Sequence, residues 1–284
     1  ASLAPVPLPR LMRSSGFTLL LTQADVAQVL DMKTALRIIA QALRSQARGD
    51  TVMPSKVYLP LPRDSDFRAM PAYLEGLDAC ILKWVNVHPG NAKKGLPTVM
   101  AVMILSDPKT GFPLAIMDGT YATSLRTAAA GAVAAQYCAN RDSHIVGLVG
   151  CGVQARTQLM ALRTVFEIRQ VKVWGHKPAL LSEFLDQMRT KGEDMKVAKD
   201  IKECVSDCDI IVTTTPSRRP LVKLNWLKQG AHINAIGADA PGKQELDPDI
   251  LKNSRIIIDD WQQAYHSGEI NVPFTKKLIS RKDI

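Results

Sequence analysis

The stretch HIVGLVGCGVQARTQ, His144 to Gln158, decides the fold. An apolar run from His144 to Val149 meets a glycine turn at Gly150, Cys151 and Gly152, and a helical pattern follows from Val153. Strand, glycine turn and helix in that order are what a dinucleotide-phosphate site requires. Gly150 permits the tight turn, Gly152 lets backbone approach a pyrophosphate, and Ala155 lets the helix pack on the strand. The helix N-terminus then presents N–H groups and a positive dipole end to an anion. The bland reading is a plain turn in an α/β sheet that binds nothing.

Outward from this turn the alternation continues. Candidate strands are Val171 to Trp174, Met195 to Ala198, Asp209 to Thr214, His232 to Ile236 and Arg255 to Asp260. With the first they make six, the number expected for two mononucleotide-binding halves of a doubly wound parallel sheet. Runs such as IIVTTT and RIIID suit strands covered on both faces.

Before the turn the text changes character. Thr18 to Leu21 reads as a short strand, Thr22 or Gln23 opens a helix through Val29, and a second helix spans Met32 to Arg48. Its expected apolar face is Ala35, Ile38, Ile39, Ala42 and Leu43, with Gly49 as its stop. From Val57 onward KVYLPL, FRAMPAYL, ACILKWVNV, TVMAVMILSD and FPLAIMDG alternate with turn signals. The fold class is therefore α/β: a Rossmann doubly wound parallel sheet over residues 141–268, joined to an α+β domain over 17–140. Residues 1–16 read as a tail or expression remnant.

Composition sets bounds. The chain has 284 residues, 46% of them hydrophobic, enough for two cored domains. No apolar run approaches the roughly 18 residues of a membrane span, and the stretch Phe17 to Leu21 is too short for a secretion signal. Its five cysteines form no CxxC pair, which fits reduced thiols in a cytoplasmic protein. Cys204 and Cys208 lack the further ligands a metal would need, so no metal is expected. A net charge of +9 is scattered and aromatics are only 5%, which argues against a nucleic-acid partner and leaves anionic metabolites.

Several polar residues sit where chemistry would use them. Arg126 and Thr127 stand before an alanine-rich helix, Ala128 to Ala139, where an arginine opposes the dipole and calls for an anion; the alternative is an Arg with its charge in water. Lys83, inside ACILKWVNV, is either a solvated residue on an edge strand or a partly buried amine whose pKa desolvation lowers. Arg68 carries a fork suited to a carboxylate, and Lys56 is a second candidate for that role. Asp239 follows HINAIG at the carboxyl end of a parallel strand, the edge where doubly wound sheets bind ligands.

The segments FRAMPAYL, LKWVNVHPGN, KGLPTVMAVMIL, TGFPLAIMDGTYATSLRTAAAGAVAA, VGCGVQA, TTTPSRRPLV and HINAIGADAPGKQELD resemble the ornithine cyclodeaminase and mu-crystallin family, nearest its archaeal-type alanine dehydrogenases. The resemblance runs from about Thr18 to Ile284. It implies a Rossmann domain binding NAD or NADP, a substrate-binding and dimerisation domain, and hence a homodimer acting on a small amino-acid or oxo/imino-acid substrate. It implies that Arg68 grips the substrate carboxylate, that Lys83 exchanges a proton beside the reacting carbon, and that Asp239 is the acid or base at the amino group. Arg126, Thr127 and the turn Gly150, Gly152, Val153 and Gln154 would hold cofactor phosphate. After the second Rossmann strand the chain reads WGHKP, with no acidic residue for a ribose 2′-hydroxyl; His176 and Lys177 would tolerate a 2′-phosphate. Residues 269–284 are expected to begin a segment that returns to the first domain.

Overall fold

The structure, a computed structural model, describes residues 16–284; the tail expected at 1–16 lies outside them but for Gly16. The chain divides into two compact units, Ala1–Arg126 and Thr127–Ile284.

The first unit begins with β1 (Leu19–Leu21) and α1 (Gln23–Val29). Thr22 and Asp25 form a reciprocal capping box, the Asp25 carboxylate accepting from the Thr22 backbone at 2.8 Å. The second helix, α2 (Met32–Arg48), starts on Asp31, whose carboxylate accepts from the Thr34 N–H at 2.7 Å, and stops at Gly49 with φ 83°. Its buried stripe departs from expectation: Met32, Ala35 and Leu36 are buried whereas Ile38 is 43% exposed. The stripe is rotated toward the start of the helix.

Then follow β2 (Thr51–Val52), β3 (Val57–Leu61), β4 (Ser65–Leu74), β5 (Ala79–Val87), β6 (Val99–Ser106) and β7 (Pro113–Asp118). They form one sheet in the order β1-β7-β6-β5-β4-β2, with β3 also on β4; only β1 and β7 run parallel. Pairing of Arg68 with Val85 and of Met70 with Lys83 puts both basic residues on the covered face. The opposite face exposes Leu20, Trp84, Val102 and Ile116, brought together by the Leu20–Ile116 and Trp84–Val102 pairings.

The long helix α3 (Thr120–Cys138) begins eight residues before the expected Ala128. Asp118 makes the early start possible, its carboxylate accepting from the N–H groups of Thr120 and Tyr121 at 3.0 and 3.2 Å. Arg126 and Thr127 therefore lie inside the helix, which corrects the expectation that an arginine opposes the dipole at its first turn.

In the second unit come β8 (Ile145–Val149), α4 (Val153–Val165), β9 (Gln170–Trp174), α5 (Pro178–Met188), β10 (Asp194–Val197), α6 (Ile201–Val205) and β11 (Ile210–Thr213). After them lie β12 (Arg218–Val222), β13 (His232–Ala235), β14 (Gln244–Leu246), α7 (Pro248–Lys252), α8 (Trp261–Ser267) and α9 (Asn271–Thr275). The main sheet is wholly parallel, in the order β10-β9-β8-β11-β13. The order in which strands are added reverses between β8 and β11, the switch point at which such sheets open a crevice. Val146, Leu148, Ile210, Ile211 and Val212 are fully buried, as covered parallel strands must be.

The sixth expected strand does not join the sheet. Residues 255–258 take no part in a strand ladder among the described residues; Ile256 and Ile258 pack on the core while Ile257 is 59% exposed, so the segment keeps the burial alternation of a strand. A short parallel pair, β12 with β14, was not anticipated. Ile270, Phe274 and Ile279 in the stretch 269–284 pack into the core of this unit.

Helix α3 meets α4 closely. A Cβ on Gly131 would lie 2.4 Å from the Gln158 side-chain oxygen, so a larger residue there would displace that buried amide. Buried Asn234 donates to the Gly131 carbonyl at 3.0 Å. Cys204 and Cys208 are buried helix-side thiols, the Cys208 Sγ donating to the Cys204 carbonyl. Burial pushes both thiols up, Cys208 to about 12, and no metal-binding cluster exists among the described residues.

Candidate active site

In the first unit a set of cations converges on Lys83. This residue sits on β5, between β4 and β6, and is 8% exposed, so the solvated edge-strand reading is excluded. Burial, followed by the positive charges of Arg126, Lys56 and Arg68, pulls its ammonium down to about 6. Near pH 7 most of the amine is thus neutral and able to take a proton.

Arg68 is 6% exposed and held by Asp66 through two parallel bonds, Nε to Oδ1 at 2.8 Å and Nη2 to Oδ2 at 2.9 Å. Its guanidinium also lies 5.2 Å over the Tyr58 ring, and the Lys56 Nζ approaches the same ring at 5.7 Å. Arg126 is exposed on α3. Asp66 and Tyr58 escaped the sequence reading. The signal for Asp66 was present, because residues two apart on a strand share a face.

In the second unit the glycine turn has the expected geometry. Gly150 adopts φ +115°, and a Cβ there would fall 2.5 Å from the Thr214 hydroxyl, so glycine is obligatory on two counts. At Gly152 an added Cβ would meet nothing within 4 Å. That residue caps α4 without a side-chain hydrogen bond, leaving the first-turn N–H groups of a 13-residue helix to an outside acceptor. The Gln154 side-chain oxygen is buried without a partner, and Val153 is 56% exposed. Open space at Gly152 and the uncapped N–H donors of the first turn fit a dinucleotide phosphate held by Gly150 to Gln154. Ala155 is fully buried, as helix-to-strand packing demands.

His176 and Lys177 are exposed just beyond β9, Lys177 capping α5. The Thr127 carbonyl accepts from the buried Gln158 side chain at 3.1 Å, a contact invisible to sequence patterns because the partners lie 31 residues apart. Asp239 follows β13 on a loop; its N–H donates to the Gly237 carbonyl at 3.0 Å, and Lys243 pairs with its carboxylate. Lys56, Arg68, Lys83 and Arg126 thus gather in the first unit, while Thr127, the glycine turn, His176, Lys177 and Asp239 belong to the second.

The family model described as ornithine cyclodeaminase/mu-crystallin family matches residues 17–283. The chain belongs to the ornithine cyclodeaminase/mu-crystallin family. A family relative named alanine dehydrogenase, from Archaeoglobus fulgidus, is 51% identical over 267 residues, 94% of this chain and 81% of the relative. Among solved family structures, an archaeal alanine dehydrogenase described as a dimer with bound NAD superposes with TM-score 0.89 at 50% identity, covering 94% of this chain and 82% of the other. The Thermococcus litoralis Delta(1)-pyrroline-2-carboxylate reductase, described in complex with NADH and L-proline, gives TM-score 0.90 at 35% identity, covering 94% and 84%.

Proposed function

We propose that this chain is an NAD(P)-dependent oxidoreductase that reversibly deaminates a small L-amino acid, alanine first, to the 2-oxo acid and ammonia. The observation that carries this reading is Lys83: a buried, largely neutral amine among Arg68, Lys56 and Arg126, in a chain about half identical to an alanine dehydrogenase.

Arg68, its plane fixed by Asp66, grips the substrate carboxylate and so orients Cα. Gly150 to Gln154, with Arg126 and Thr127, would hold the phosphates of NAD(P), which when bound would supply the hydride acceptor and donor for Cα. Neutral Lys83 takes the proton of the water that adds to the resulting substrate imine. Asp239 exchanges protons with the nitrogen, which departs as ammonia. Lys56 supplies further positive charge to hold the carboxylate. His176 and Lys177, with no acidic residue beside them, favour acceptance of NADPH as well as NADH. The archaeal neighbour is described as a dimer, and a second copy covering Leu20, Trp84, Val102 and Ile116 is the assembly this reading expects.

A second reading has support in the pyrroline-2-carboxylate reductase neighbour: hydride return to a cyclic imine, with no hydrolysis. Ornithine cyclodeamination and a binding protein without catalysis are further alternatives. Absorbance at the reduced-nicotinamide band, followed with alanine, ornithine and a cyclic imine and with both cofactors, separates them. Net cofactor reduction with alanine supports the lead, cofactor oxidation by the imine alone supports the reductase, and proline from ornithine without net reduction supports the cyclodeaminase. Tight binding without turnover supports the binding protein. Lys83→Ala should abolish turnover while NADH still binds; unaltered turnover removes Lys83 from the mechanism.

A further inference from the structure

Beyond β13 the chain must present Asp239 on a loop rather than on a strand, and loops need an anchor to hold a catalytic geometry. The anchor is a fully buried carboxylate on β14, Glu245. One oxygen, Oε1, accepts from the Thr215 N–H at 2.6 Å and the Thr215 hydroxyl at 2.7 Å. The other, Oε2, accepts from the Thr213 hydroxyl at 2.7 Å and the Gly237 N–H at 2.8 Å.

These four donors come from the ends of two neighbouring strands, β11 and β13. Thr214, between the two anchored threonines, is the residue against which Gly150 turns. Gly237 carries the loop, because its carbonyl accepts from the Asp239 N–H. No slack remains at that point: a Cβ on Gly237 would lie 2.2 Å from the Thr215 carbonyl oxygen and 2.5 Å from Glu245 Oε2. Glu245 is itself fixed from behind, its N–H and that of Leu246 donating to the Glu269 carboxylate at 2.9 and 2.6 Å.

We propose that Glu245 is a positioning residue, tying the wall of the cofactor turn at Thr213–Thr215 to the root of the Asp239 loop so that both hold one geometry. The proposal rests on the reading of Asp239 as the acid or base at nitrogen. Solvation of a buried carboxylate by four donors is an expensive arrangement.

Glu245→Gln is the discriminating variant. Its amide has the same shape but must aim NH2 at either the Thr215 N–H or the Gly237 N–H, donor against donor, so one backbone anchor is lost. Glu269→Gln is the control, since the Oε1 position alone can accept from both Glu245 and Leu246. With full-length chain and saturating NADH, hydrogen exchange in Glu245→Gln should quicken by about tenfold or more in residues 213–217 or 237–241 while β8 and β9 stay unchanged. In turnover, kcat should fall by about tenfold or more while the NADH dissociation constant stays within roughly threefold; Glu269→Gln should match wild type. Unchanged exchange in both loops, or an unchanged kcat, overturns the proposal. If wild type turns over no substrate, the functional reading fails and the exchange experiment alone decides. Should Glu245→Gln not fold, Thr213→Val, which removes the hydroxyl that donates to Glu245 Oε2, is read the same way.

Discussion

Lys83→Met should make the protein more stable, and by an amount that depends on pH in a defined way. Methionine matches the lysine stem in length and carries no charge. In the folded chain the amine is held near 6 against an ordinary value of 10.5, so between these values the unfolded chain binds a proton the folded one does not. Stability of the wild type therefore rises with pH across that window, by about 1.36 kcal/mol per pH unit. At pH 7 about 3.5 pH units remain before the penalty vanishes, which puts its upper end at roughly 5 kcal/mol. At pH 9 it has shrunk to roughly 2 kcal/mol, and near pH 10.5 the variant and wild type converge. Urea unfolding followed by circular dichroism at pH 7, 8 and 9 measures the difference, taken from the transition that responds to the substitution. A difference that is flat with pH, or a variant less stable than wild type at pH 7, would refute the claim that this amine is desolvated.

Gly150→Ala places a Cβ 2.5 Å from the Thr214 hydroxyl at φ +115°, and should cost about 1–3 kcal/mol in the second unit and weaken NADH binding by about tenfold or more; fluorescence titration with NADH, alongside a thermal melt, checks both. Replacing His176 and Lys177 together by Ala should weaken NADPH by about tenfold while leaving NADH within roughly twofold. Equal losses for the two cofactors in parallel titrations would remove the pair from 2′-phosphate recognition.

What was legible in the sequence was whatever a local pattern dictates. The run from Ile145 through Gly150 to Val153 could be read because each step depends on its neighbours: covered strand, φ-positive glycine, helix start. Helix α2 ends where Gly49 stops it for the same reason, while the cap by Asp31 is seen only in the structure. Failures came where distant residues decide. Arg255 to Asp260 has the composition of a strand, yet strand pairing is conferred by a partner, and none is in register. Arg126 looked like a helix start because the alanines begin just after it, whereas Asp118 had already capped the helix. Lys83 was ambiguous because edge and centre look alike until β4 and β6 are seen on either side. Glu245 gave no signal at all, since its four donors come from residues 8 to 32 positions away.

Those long-range terms also explain why the two residues proposed as acid and base are supported so differently. Lys83 is tuned by repulsion and burial: Lys56, Arg68 and Arg126 press on it from the same unit, with Asp66 answering Arg68 through two hydrogen bonds. Such a cluster has a surplus of positive charge, and a substrate carboxylate is the ion that relieves it. On the proposed reading, a carboxylate held by Arg68 would offset part of the positive charge that, with burial, lowers the Lys83 amine, and so would raise it again. Binding and proton transfer are then one electrostatic event. Asp239 stands on a loop with Lys243 as an ion-pair partner, and the buried Glu245, hydrogen-bonded by four donors, lies behind Gly237 at the root of that loop. On the proposed reading Lys83 is prepared by its charge environment and Asp239 by its anchorage.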